Sequence, residues 1–171
     1  MVDTRPKDEV AACDELTTLL AFVGHQREFL IRKVEGVTEV QARIASCPPS
    51  DLTLLGLVRH AGEVERYWAK HAFAGLDVGS LYCEEAHPEG DLDGDFHPSV
   101  GATMDEALAA FREEAIEADT MYRDAELGDV ERSERGFYSL RWILVHLVEE
   151  YARHLGHADL IREAIDGQTG E

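Results

Sequence analysis

Apolar residues return at steps of three and four along four stretches of this chain, which is the helical period, and no stretch reads as a strand. The first runs from about Asp14 to Glu35, with Leu16, Leu19, Leu20, Val23, Leu30, Ile31 and Val34 at helical spacing. Asp14 suits its N-cap and Gly36 its stop. Thr38 and Gln41 have capping-box spacing and open one short turn through Ile44 before Cys47-Pro48-Pro49-Ser50 breaks the chain. The second helix starts near Asp51 or Thr53 and runs to about Ala74, ended by Gly75. The third opens with a Thr103/Glu106 capping box and carries Leu108, Phe111, Ala115, Ala118 and Tyr122 on one face, to about Glu126. After a connection from Gly128 to Gly136, Ser139 caps the fourth, and Gly167 follows its last periodic residue, Ile165.

Between Leu76 and Ala102 the chain turns irregular, with glycines and prolines among Glu84, Glu85, Glu89, Asp91, Asp93 and Asp95. Asp91-x-Asp93-x-Asp95 has the spacing of a calcium loop, yet Phe96 stands where that loop needs glycine and Ala102 where it needs a bidentate glutamate. The segment therefore reads as a solvated acidic crossover. A short, a long and a short link between four amphipathic helices describe an all-α four-helix bundle, and the long link permits the second and third helices to run parallel.

Two polar residues interrupt the apolar stripe of the fourth helix. Ile143, Leu147, Glu150, His154, Ala158 and Ile161 share one side of it. A buried carboxylate must be protonated, hydrogen-bonded, paired with a cation or bound to a metal. The imidazole one turn away favours the metal. His60 sits in the second helix's pattern of Leu54, Leu57, Val58, Ala61, Val64 and Trp68, so it also points toward apolar surroundings. His60, Glu150 and His154 together make a three-ligand site, which leaves a divalent ion an open position, as in catalytic sites. The bland alternatives are a core-edge histidine at 60 and an intrahelical pair at 150 and 154.

The length of 171 residues fits one domain spanning 1–171 with a real core. With 16 basic against 35 acidic residues the net charge is -19, which repels phosphate backbones and anionic lipid surfaces. Nucleic acid and membrane are therefore not expected partners. The charged stretch Met1–Val10 lacks the apolar core of a signal peptide, which points to a cytoplasmic location. Cys13, Cys47 and Cys83 are odd in number and widely spaced, so reduced thiols are expected, with Cys83, four residues before His87, an ordinary loop cysteine.

The phrases LTLLGLVRHAGEVERYW (52–68) and LRWILVHLVEEYARHLGHADLIREAIDG (140–167) resemble the two signature helices of the DinB-like superfamily, in its DUF664 branch. The resemblance covers nearly the whole chain. It implies an up-down-down-up bundle, a homodimer, and a divalent metal ion, zinc or nickel, held by His60, Glu150 and His154. Most relatives carry histidine where Glu150 stands. The related mycothiol-dependent maleylpyruvate isomerase uses the same His, Glu, His combination, but it has a further domain, so isomerase activity is not implied. The activity implied is that of a metal-dependent thiol S-transferase joining a small-molecule thiol such as mycothiol to an electrophilic substrate. A hydrolase on the same site, or a non-catalytic metal-binding stress-response protein, are the alternatives.

Further candidates flank these residues. His146 and His157 lie to one side of Glu150 on the helical projection, as edge-exposed histidines or else as hydrogen-bond partners of a ligand, proton shuttles or a fourth ligand. Tyr67, Trp68, Trp142 and Tyr151 are core aromatics or walls of a substrate pocket. Arg141 and Arg153 are surface ion-pair partners or carboxylate binders, Arg153 being the candidate for the pocket.

Overall fold

The computed structural model describes residue 9 and residues 11–83, 90–133 and 136–169. Within them the chain is helical, and one isolated bridge between Val130 and Ser139 is the only β-pairing among the described residues. Glu84, Glu85, His87 and Glu89 of the acidic crossover lie outside the described residues, as does most of the stretch Met1–Val10.

Local chemistry sets the helix ends. Helix α1 (Glu15–Val34) starts where Asp14 accepts the Thr17 N–H, and the short α2 (Glu39–Ala42) starts at a complete Thr38/Gln41 capping box. Thr53 caps α3 (Leu54–Arg66), the Thr103/Glu106 box opens α4 (Met104–Arg123), and Ser139 caps α5 (Leu140–Asp166). Gly167 closes α5 with φ of 80°, a left-handed conformation that glycine adopts without strain.

The second helix departs from the regular course expected to Ala74. From Tyr67 to Phe73 it is a π-helix, in which the Ala74 N–H reaches back five residues to the Ala69 carbonyl. Ala69, Lys70, Ala72 and Phe73 lie on the buried side of this segment. Lys70 then meets Glu114 and Glu117 of α4, while Phe73 packs edge-on against Tyr122.

Side-chain pairs give the helix directions. Gly62 lies against Phe111, Arg66 and Lys70 meet Glu114, and Phe73 meets Tyr122, so α3 and α4 run parallel. Arg141 pairs with Glu15, and Arg162 donates to the carbonyls of Lys33 and Glu35, so α1 and α5 are also parallel. His60 faces Glu150 and His154 while Trp68 faces Trp142 and His146, which makes α3 and α5 antiparallel. The bundle is therefore up-down-down-up, and the long crossover returns the chain to the starting end of α3 before α4 begins.

The core draws on all four long helices, with Leu30, Leu57, Phe111, Tyr122, Leu144 and Leu147 fully enclosed. Charge also enters it. Arg27 of α1 donates from Nε and Nη2 to both oxygens of Glu65 on α3, each at 2.7 Å, and from Nη1 to Asp119 of α4 at 2.5 Å. Tyr151 of α5 donates its hydroxyl to Glu65 at 2.5 Å, so one group from each long helix meets in the interior. Desolvation opposes the guanidinium charge, but the Glu65 and Asp119 carboxylates outweigh it and hold Arg27 well above its ordinary pKa.

Candidate metal centre

His60 comes from the middle of α3, and Glu150 and His154 lie one turn apart on α5. Glu150 Oε1 lies 3.1 Å from His60 Nε2 and 3.1 Å from His154 Nε2. One potential ligand atom from each of the three falls within 4.8 Å of the others, and this is the one such cluster of His, Cys, Asp or Glu among the described residues. Each side chain is 15 to 17% exposed, so the group faces inward without being sealed off. Leu30, Leu57, Ala61, Val64, Tyr151 and Leu155 complete the walls of the small pocket around it.

The charges are mutually arranged. Burial raises the cost of ionising Glu150, but the imidazoles of His60 and His154 outweigh that and hold its carboxyl below the usual range. Burial likewise opposes a charged His60, yet hydrogen bonds to Asp95 and Glu150 outweigh it and push the imidazole above its ordinary value. His154 is pushed down, by burial first and then by the neighbouring His60 charge.

This donor set fits a divalent ion. Two ligands about 2.0–2.1 Å from a tetrahedral zinc are roughly 3.3 Å apart, close to the separations between Glu150 Oε1 and the two Nε2 atoms. Two imidazoles and one carboxylate suit zinc, nickel and neighbouring divalent ions alike.

One residue of this region was not among the sequence candidates. Asp95, read as part of a solvated acidic loop, is 4% exposed and places Oδ2 2.6 Å from His60 Nδ1. The correction concerns Asp95 alone, because Asp91 and Asp93 remain at the surface. Phe96 stacks on the His60 ring at 4.3 Å, and Arg59 donates to the carbonyls of Gly94 and Asp95. The signal available was an acid between Gly94 and Phe96 in the crossover, with no periodicity to assign it a direction.

The other candidates divide into groups. His157 lies edge-on to His154 at 5.4 Å, and its Nδ1 has no hydrogen-bond partner. His146 stacks on Trp142 and meets Trp68 edge-on, within an aromatic cluster that includes Tyr138 and continues to Tyr67. Of the four aromatic candidates, Tyr151 lines the pocket at the triad, whereas Tyr67, Trp68 and Trp142 belong to that cluster. Arg153 is exposed and bridges Glu149 and the second oxygen of Glu150, and Arg141 pairs with Glu15 at the surface. None of the three cysteines forms a disulfide, and no described helix is long and apolar enough to cross a membrane.

An up-down-down-up bundle with a His-Glu-His cluster between its antiparallel α3 and α5 defines a helical protein of the DinB-like, DUF664 type. The family model of mycothiol S-transferases matches residues 18–167, and the chain belongs to that family. Comparison with curated proteins finds no match.

Proposed function

We propose that the protein is a divalent-metal-dependent thiol S-transferase that uses mycothiol or a related low-molecular-weight thiol, with His60, Glu150 and His154 as metal ligands. The convergence of both imidazole Nε2 atoms on Glu150 Oε1 carries this reading, and membership of the mycothiol S-transferase family supports the thiol. A divalent ion held by His60, Glu150 and His154 would supply Lewis acidity that lowers the pKa of a bound thiol.

The chain's own residues supply the rest. Leu57, Ala61, Val64 and Leu155 give the small pocket apolar walls, which lower the polarity around the ligand atoms. In the transfer, the thiol gives up its proton, its sulfur forms a bond to the electrophilic carbon, and the leaving group departs with the electron pair of the broken bond. We assign the outward path of that proton to His157, which lies beside His154 and has an unpartnered Nδ1, with His146 as the more distant candidate. The setting is read as a cytoplasmic homodimer acting on small molecules.

The test is elemental analysis of purified protein, followed by thiol conjugation to monochlorobimane with mycothiol and other thiols, comparing wild type with Glu150→Gln. Metal-dependent conjugation that Glu150→Gln abolishes supports the reading. A protein that holds zinc or nickel but conjugates none of the thiols is a binding protein or a hydrolase instead.

A further inference from the structure

His60 is held from both sides. Its Nε2 faces Glu150, and its Nδ1 lies 2.6 Å from the carboxylate of Asp95, 35 residues further along the chain. Asp95 is buried in a crossover that is otherwise acidic and irregular, and a buried carboxylate requires compensation. Its second oxygen accepts the Phe96 N–H at 2.9 Å, so both oxygens are engaged.

The crossover is fastened to α3 one turn at a time around His60. Gly56 lies beneath Phe96, where an added Cβ would sit 2.9 Å from the Phe96 carbonyl oxygen. Arg59 donates to the Asp95 and Gly94 carbonyls at 3.0 and 2.8 Å, with its guanidinium 3.8 Å from the Tyr82 ring centre. Glu63 accepts the N–H groups of Leu81 and Tyr82. Phe96 then covers one face of the His60 ring. Residues 56, 59 and 63 thus present Asp95 to His60 as part of a fixed frame.

We infer that Asp95 is the positioning residue of the metal centre: it accepts the His60 Nδ1 proton, fixes the tautomer and ring angle, and thereby directs the Nε2 lone pair at the ion. This rests on the ligand reading given above. An imidazole can ligate through one nitrogen only if that nitrogen is free of its proton, and a carboxylate on the other nitrogen secures this and makes the ligand more basic. Loss of such a partner weakens metal binding by about 10–100-fold.

The experiment measures zinc affinity by competition with a chromophoric chelator for wild type, Asp95→Ala and Asp95→Asn, with helical circular dichroism and thermal melts as fold controls. Asp95→Ala should bind zinc about 10–100-fold more weakly than wild type. Asp95→Asn, which keeps an oxygen acceptor in place, should recover part of the loss and provides a second test if the alanine variant does not fold. In zinc-loaded wild type, the His60 Nδ1 proton should give a slowly exchanging downfield NMR resonance, absent from Asp95→Ala. Folded variants with wild-type zinc affinity, or an unaltered resonance, overturn the role of Asp95. A wild-type protein without zinc affinity overturns the ligand reading itself, and the two failures are distinct.

Discussion

Arg27 and Glu65 face each other in the centre of the bundle through two parallel hydrogen bonds of 2.7 Å, with 2% and 0% of their surfaces exposed. The forked geometry is the strong form of a carboxylate–guanidinium pair. Removing one partner leaves a buried charge without compensation, which costs about 3–5 kcal/mol. Arg27→Met should lower the stability measured by urea denaturation by that amount. Tyr151→Phe leaves the pair intact and removes one bond to the carboxylate, so its cost should be smaller, about 1.5–3 kcal/mol. Equal losses for the two would contradict the arrangement.

On the ligand reading, zinc should stabilise the folded chain by an amount that grows with the logarithm of its concentration above the dissociation constant. At a concentration one hundred times the dissociation constant, a ligand that binds only the folded state adds about 2.7 kcal/mol. Wild type should therefore melt at higher temperature with zinc than with chelator. His60→Ala should melt at the same temperature under both conditions, and cooperatively, since the apolar core of the four long helices is intact, although the loss of Asp95's partner lowers that temperature. Collapse of the helical signal in metal-free His60→Ala would instead assign the residue a structural task.

Two glycines inside helices should respond oppositely to alanine. At Gly156 an added Cβ meets nothing within 4 Å, so Gly156→Ala should stabilise α5 by about 0.5–1 kcal/mol. At Gly56 the same Cβ would press on the Phe96 backbone, and overpacking of about 1–3 kcal/mol exceeds the helical gain. Gly56→Ala should therefore lower the melting temperature and displace Asp95 and Phe96 from His60. Zinc affinity measured on the folded variant reads the second effect.

Lys70 provides a dependence on pH. Burial works against its ammonium charge, but the Glu114 and Glu117 carboxylates at 2.6 and 2.8 Å outweigh it and raise the folded-state pKa. The contribution is complete below the unfolded-state value of about 10.4 and is lost as pH climbs through the raised folded value. The stability difference between wild type and Lys70→Met should thus be constant from about pH 7 to 9 and shrink above about pH 10.5. A difference that grows with alkalinity would show the opposite sign of shift.

What the sequence made legible was local. Asp14, Thr38 with Gln41, Thr103 with Glu106, Ser139 and Gly167 mark helix ends because their chemistry acts within three or four residues. His60, Glu150 and His154 stood out because they broke apolar stripes, and the structure brings them together. Arg27, Glu65 and Asp119 break stripes by the same rule, but long charged side chains often border an apolar face, so their meeting depends on helix packing that spacing does not encode. Asp95 lies where no period exists, and its direction follows from contacts made by Gly56 and Arg59. The π-helix escaped because Ala69, Lys70, Ala72 and Phe73 are compatible with an ordinary helical stripe.

The π-helical turn acts as a spacer that sets the phase between two halves of one rod. Upstream of it His60 faces α5, and downstream Lys70 and Phe73 face α4. Straightening Tyr67–Phe73 to the ordinary helical pitch without removing a residue would swing the side chains that follow by about 100° around the axis. Lys70 and Phe73 would then leave Glu114 and Tyr122, while His60 kept its place. The wide pitch of this seven-residue window, rather than a change of direction in the rod, is accordingly what relates the two faces.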